Sequence, residues 1–219
     1  MSSQPAILFD LDGVLVDSRA PITNCLGHAL KAQGLPSRSP TSLERFIGPP
    51  LALVFAELTG HDKDSELVYA CITSYLAHYQ EASLRETAVF PSIPGVLEIL
   101  SGSYRLAIAT SKSKTFAKPL LAALDLSDNF EHVAAPDLSD HAQGKETTIG
   151  SALTALGTTH AVMVGDRSFD VLGAHACGIP AVGVTWGIGT RQELAGAGAD
   201  VIIDDPKHLP QAVNGLLAI

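Results

Sequence analysis

Apolar and polar positions along this chain alternate in blocks. Short apolar runs stand at "AILFDL" (6–11), "RLAIAT" (105–110), "HVAAPD" (132–137), "HAVMVGD" (160–166), "PAVGVT" (180–185) and "DVIID" (200–204). Between them, segments 113–125, 144–156, 168–177 and 206–218 carry apolar residues at helical spacing. Consecutive apolar positions suit strands buried on both faces, and helices are the crossovers that parallel strands need. The pattern predicts an α/β fold with a Rossmann-like parallel sheet covered by helices on both sides. Several runs end in a polar residue or a glycine, at the edge where open parallel sheets carry their chemistry.

One stretch breaks the alternation. From Asp17 to about Ala88 there is no strand pattern, and helical patterns at 20–33, 41–47, 50–59 and 63–80 are separated by "GLPSRSPTS" and "IGPPL". The chain returns to the sheet pattern through "VFPSIPG" (89–95). The expected organisation is a core built from 1–17 and 89–219, with a small helical domain, 18–88, inserted after the first strand. The two connections, near Asp17 and Phe90, are expected to lie side by side and to act as a hinge.

Composition narrows the classes. A chain of 219 residues is one large domain or two modest ones, and 46% hydrophobic residues can fill a core rather than leave it disordered. A net charge of −9 argues against nucleic acid or an anionic membrane as partner. It leaves room for a small anionic substrate, because a metal and a few cations can reverse the potential inside one pocket. Cys25, Cys71 and Cys177 lie far apart without a CxxC pattern, which argues against a disulfide framework or a zinc site and for a reducing, cytoplasmic location. The start, "MSSQPAILFD", reads as no signal peptide, and no apolar run approaches the length of a membrane span. The 8 histidines form no HxxxH pattern. GxSxG, GxxxxGK[ST] and a complete GxGxxG are absent, "WGIGTRQ" lacking the last glycine, so serine hydrolases, P-loop enzymes and dinucleotide enzymes are poor readings.

Four segments carry candidate chemistry. In "ILFDLDGVLVDS" (7–18), Asp10 and Asp12 follow an apolar run, where buried carboxylates are costly unless a cation joins them. On a strand they point to opposite faces, but Gly13 allows the turn that brings both to one ligand. They could hold Mg²⁺, one through its side chain and one through its carbonyl oxygen, or divide the work of nucleophile and general acid/base. The alternative is an exposed Asp-Gly turn. In "VMVGDRSFD" (162–170), Asp166 and Asp170 either face one pocket across a helical turn or serve as N-cap and dipole partner of that helix. Thr110 and Ser111 of "IATSKSK" (108–114) offer hydroxyls and backbone N–H groups to phosphate oxygens, or simply cap the next helix. Lys145 of "AQGKETTI" (142–149) starts a helix, where positive charge opposes the macrodipole; that placement suggests a local anion, against the alternative of a harmless surface lysine.

In order and spacing these segments resemble the haloacid dehalogenase superfamily, in the branch with phosphoglycolate phosphatases. The resemblance rests on DxDGxxxDS at 10–18, a hydroxyl strand end at Thr110, Lys145 before a helix and GDxxxD at 165–170, and spans nearly the whole chain. It implies a Mg²⁺-dependent phosphatase. Asp10 would attack phosphorus to give an aspartyl-phosphate, while Asp12 would protonate the leaving alkoxide and then activate water. Asp10, the Asp12 carbonyl and Asp166 would bind Mg²⁺, with Asp170 steadying a metal-bound water or Lys145. Thr110, Ser111 and Lys145 would hold the phosphoryl group. An acid two residues after the nucleophile favours an alkoxide leaving group over halide. Glu146 stands where relatives often carry proline, and Ser111 where related phosphatases often carry asparagine.

The helical insert resembles the small cap of that branch. Its loop in "FIGPPLALVF" (46–55) would approach the site, with Gly48 and Pro49 as substrate-facing backbone. Arg45 and Arg85 are candidates for pairing a substrate carboxylate, against ordinary solvent exposure. Asp17 and Ser18 are read as caps of the first inserted helix, and Trp186 in "VTWGIGTRQEL" (184–194) as a packing residue beside a glycine-rich rim. The expected substrate is a small phosphorylated metabolite, phosphoglycolate first, with a 5'-nucleotide or a sugar phosphate as alternatives. A phosphomutase on the same scaffold and a non-catalytic binding module are the rival functions. The expected state is monomer or homodimer.

Overall fold

A computed structural model describes residues 4–138 and 144–217. Ala142 and Gln143 of the lysine segment, and Ala218 of the last helical pattern, lie outside the described residues. In chain order the elements begin with β1 (Ala6–Phe9), β2 (Val16–Asp17), α1 (Arg19–Ala32), α2 (Pro40–Leu43), α3 (Leu51–Thr59), α4 (Glu66–Glu86) and β3 (Ala88–Val89). They continue through α5 (Ile93–Ser101), β4 (Arg105–Ala109), α6 (Lys114–Ala123), β5 (His132–Ala134), α7 (Lys145–Leu156), β6 (Ala161–Gly165) and α8 (Ser168–Ala176). The last are β7 (Ala181–Val184), α9 (Arg191–Gly196), β8 (Val201–Ile203) and α10 (Leu209–Leu217).

Six of the strands form one parallel sheet in the order β5-β4-β1-β6-β7-β8. All six apolar runs of the sequence are strands of it. The β1 residues alternate between two cores: Ile7 and Phe9 pack with α5, α6 and α10, while Ala6 and Leu8 pack with α7, α8 and Leu194 of α9. Burial on both faces is why the run is apolar throughout. From β1 the order proceeds outward to β4 and β5 on one side and to β6, β7 and β8 on the other. The carboxyl end of β1 is therefore the topological switch point, where an open parallel sheet leaves a crevice. Asp10 is the first residue beyond it.

The helices between Asp17 and Ala88 form their own cluster, in which Leu26, Phe55, Val68 and Tyr75 are buried together. Phe116 of α6 joins that cluster from the sheet side. Its two connections pair as the antiparallel strands β2 and β3, Val16 opposite Val89 and Asp17 opposite Ala88. Strands of this length lie below what apolar periodicity can signal, so the sequence pattern contains neither of them. The helical pattern at 41–47 splits into α2 and a 3₁₀ turn, Glu44–Phe46, and that at 63–80 extends to Glu86. Among the described residues no helix is long and apolar enough to cross a membrane.

Candidate active site

The turn after β1 is closed by Gly13, whose φ is +85°, a conformation that side-chain-bearing residues rarely adopt. Space gives a second reason for the glycine: a Cβ at that position would stand 2.2 Å from the Asp166 carboxylate. Asp166, beyond the end of β6, thus lies against the backbone of the "DLDG" turn. Gly187 closes it in from the loop after β7, where a Cβ would stand 2.3 Å from the same carboxylate. The backbone N–H of Ile188 donates to Asp166 Oδ2 at 2.7 Å, while Oδ1 is buried without a partner. Asp166 is thus not the N-cap of α8. That position belongs to Arg167, whose backbone N–H donates to Asp170 Oδ2 at 3.1 Å.

Asp10, Asp166 and Asp170 each offer a carboxylate oxygen, and the three oxygens lie within 4.8 Å of one another. Asp166 and Asp170 are both 1% exposed. Burial pushes the Asp10 carboxyl up to about 6, against the opposing charge of Lys145, and pushes Asp166 up to about 8, with Asp170 and Asp10 adding repulsion. Lys145, 6% exposed at the first turn of α7, reaches Asp170 Oδ1 at 2.7 Å and Asp10 Oδ1 at 2.9 Å. Burial alone would lower its pKa, yet the two aspartates outweigh that and raise it. The lysine set against the helix dipole does have local anions: they are Asp10 and Asp170.

Asp12 stands apart from the three acids. Both of its carboxylate oxygens accept from Lys112 Nζ, at 2.9 and 2.8 Å, and Lys112 also donates to the Tyr79 hydroxyl of α4. Lys112 is the cleft residue that sequence reading missed. It lies inside "IATSKSK", and nothing in that spacing distinguishes it from Lys114, which pairs with Asp137 near the surface. Thr110 is buried at the end of β4 and Ser111 is exposed beside it; both line the cleft above Asp10 and Asp12. Thr110 Oγ1 accepts from the Lys112 N–H at 3.2 Å.

The opposite wall comes from the helical region. Gly48, with φ of +114°, Pro49 and Pro50 line the cleft, and Arg167 donates from Nη1 to the carbonyl of Ile47. Arg45 and Arg85 do not reach it. They pair with Glu57, and with Glu81 and Glu86, on the surface. Trp186 packs on the core and donates from Nε1 to Val14 O at 3.1 Å. Asp17 accepts from the Arg19 N–H at the start of α1, whereas Ser18, at the N-cap position, makes no capping bond and its buried hydroxyl has no partner.

Two buried carboxylates and the half-buried Asp10 beside one lysine leave uncompensated negative charge, and an all-oxygen donor set of this kind suits a hard divalent cation such as Mg²⁺. The partnerless Oδ1 of Asp166 fits that group. The site presents a carboxylate, a buried hydroxyl and an acid two residues on, arranged around one cleft.

The haloacid dehalogenase-like hydrolase family model matches residues 7–184. A 5'-nucleotidase from Pseudomonas aeruginosa is 35% identical over 193 residues, 87% of this chain and 86% of its own. A phosphoglycolate phosphatase from Rhodospirillum rubrum is 30% identical over 210 residues, 91% of this chain and 87% of its own. The crystal structure of a predicted phosphatase from Clostridium acetobutylicum superposes with a TM-score of 0.92 at 32% identity, covering 98% of this chain and 100% of that one.

Proposed function

The chain belongs to the haloacid dehalogenase-like hydrolases and is a phosphatase of the branch that includes phosphoglycolate phosphatases, and on that premise we propose that it hydrolyses a small phosphorylated metabolite with Mg²⁺ through an aspartyl-phosphate on Asp10. The observation that carries the reading is the meeting of Asp10, Asp166 and Asp170 oxygens at the switch point of the sheet. These side chains would hold Mg²⁺, with the Asp12 carbonyl as the further expected ligand. When bound, the ion lowers the charge that a phosphate dianion meets and polarises the phosphoryl oxygens.

The remaining work falls to side chains. Asp10 accepts from the Leu11 N–H and from Lys145, both at Oδ1, so Oδ2 is the oxygen that attacks phosphorus. Lys145 keeps the buried Asp10 ionised and aligned, with Asp170 holding the lysine from its other side. The bond from phosphorus to the ester oxygen breaks as the bond to Asp10 forms. Asp12 protonates the leaving oxygen and so releases an alcohol rather than an alkoxide. The Asp12 carboxylate that results, paired with Lys112, then takes a proton from the water that attacks the phosphorylated Asp10. Inorganic phosphate leaves and both aspartates are restored. Thr110 and Ser111 contribute hydroxyls to the phosphoryl oxygens. The helical region acts as a cap over the cleft, excluding water from the phosphorylated state, with Gly48 as backbone facing the substrate.

The relatives supply two candidate substrates for assay, phosphoglycolate and a 5'-nucleotide. Phosphate release from 4-nitrophenyl phosphate with Mg²⁺ tests the mechanism. Asp10→Asn is expected to lose roughly 10⁴-fold or more in kcat, as removal of a covalent nucleophile does, and EDTA to abolish the wild-type rate. Persisting turnover in the folded variant would refute the nucleophile. Conversion of a sugar phosphate to its isomer without net phosphate release would identify a mutase instead.

A further inference from the structure

The side chains from residues 18–88 that line the cleft are all uncharged. Ile22, Phe46, Leu51 and Leu76 come from that region, and Phe116 and Ile188 complete the wall from the sheet side. Among the described residues two cations line the cleft, and both are engaged. Lys112 holds the Asp12 carboxylate and the Tyr79 hydroxyl with its side chain 4% exposed. Arg167 is fixed between Glu193, at 3.0 Å, and the Ile47 carbonyl. Lys145 belongs to Asp10 and Asp170. Asp137 also lines the cleft and adds negative charge, which Lys114 answers at 2.7 Å. Residues 139–143, outside the described set, contain no lysine or arginine.

A leaving group with a carboxylate or a second phosphate would enter this wall without a countercharge, next to Asp12 and Asp137. Removing an ion from water without pairing it is costly, and breaking Lys112 or Arg167 away to supply the pair would leave the half-buried Asp12 carboxylate without its cation or open the cap contact. A carbon skeleton with an apolar or aromatic face gains from the same wall. We propose that this phosphatase selects monoesters of uncharged alcohols presenting an apolar or aromatic face, and discriminates against esters that carry a second anionic group. The inference rests on the reading that the Asp10 end of the cleft takes the phosphoryl group. It places phosphoglycolate, a two-carbon ester with a carboxylate, below neutral esters.

Three esters of primary alcohols separate wall from chemistry: 2-phenylethyl phosphate, ethyl phosphate and phosphoglycolate. Their kcat/KM values with Mg²⁺ are expected to fall in that order, the first at least tenfold above the last. Phosphoglycolate equal to or faster than ethyl phosphate overturns the proposal. Leu76→Arg places a guanidinium in the wall away from the catalytic groups, and is expected to raise the ratio of phosphoglycolate to ethyl phosphate at least fivefold. Leu51→Arg makes the same change from α3 should α4 not tolerate it. An unchanged ratio in both folded variants also overturns the proposal. Failure of the catalytic reading looks different: no release from any of the three, nor from 4-nitrophenyl phosphate, removes that reading and this inference with it.

Discussion

The two regions of the molecule treat charge in opposite ways. The sheet region buries Asp166, Asp170 and Lys145 against the half-buried Asp10 at one edge, holding each from a different strand end or helix start. The helical region keeps its charged side chains away from the cleft and turns uncharged, largely apolar ones toward it. Position explains the contrast. Strands joined by ladders fix a side chain to within a fraction of an ångström, which closely packed like charges require. The helical cluster meets the sheet region chiefly through Phe116, the Arg167 contact with Ile47 and the Lys112 contact with Tyr79, so it is suited to shape rather than to charge. On the proposed function, catalysis falls to the one region and selectivity to the other.

Removing the lysine attacks the first half of that contrast. Lys145→Met leaves the buried Asp170 and the half-buried Asp10 without their shared cation, and stability in EDTA is expected to fall by about 3–5 kcal/mol, the usual result of breaking a buried ion pair. Urea unfolding measures it. A loss below about 1 kcal/mol would mean that the acids are not held by charge pairing.

A smaller effect comes from protons. Asp10 and Asp166 titrate in the native state at about 6 and about 8, above the ordinary 3.8, so the native state holds more protons than the unfolded chain between those values. Stability of the metal-free protein therefore falls as pH rises through that window, and the penalty is complete above about 8. Lys145, raised above its ordinary value, stays charged throughout and does not reverse the sign. Thermal melts in EDTA should drop by several degrees from pH 5.5 to 9, given that about 1 kcal/mol moves Tm by roughly 2–4 °C in a chain of this size. Mg²⁺ competes with those protons, so its stabilising shift should grow with pH. A shift equal at every pH would separate the metal from these acids.

The smallest effect sharpens the boundary between the regions. Tyr79→Phe removes one hydroxyl that accepts from Lys112 and leaves the Lys112–Asp12 pair in place. About 1 kcal/mol of stability should be lost, the net worth of one such bond, with KM rising more than kcat falls. A fall in kcat alone, with KM unchanged, would show that Tyr79 serves Asp12 and not the seating of the helices.

Much of the fold was legible because its signal is local. The β1 run "AILF" is apolar at every position because two cores take alternate residues, and that double burial is written in residue types. The same holds for the break in the pattern after Asp17 and for the acids placed directly beyond β1 and β6. Lys145 was legible through its cost, a cation at the wrong end of a helix. The pairing of β2 with β3 left no trace, since two residues cannot show a period. Nor did Lys112, whose partners Asp12 and Tyr79 lie 100 and 33 residues away.

By itself, then, the sequence determined the alternation of strands and helices, the inserted helical stretch and the identity of the acids, because apolar period and glycine placement are properties of neighbouring residues. Tertiary structure alone decided which cations are already paired, that Asp12 is held by Lys112 while the other acids cluster, and that the wall facing them is uncharged. Those facts depend on distances between residues far apart in the chain, and Coulomb energy and desolvation are functions of such distances, not of order along the backbone.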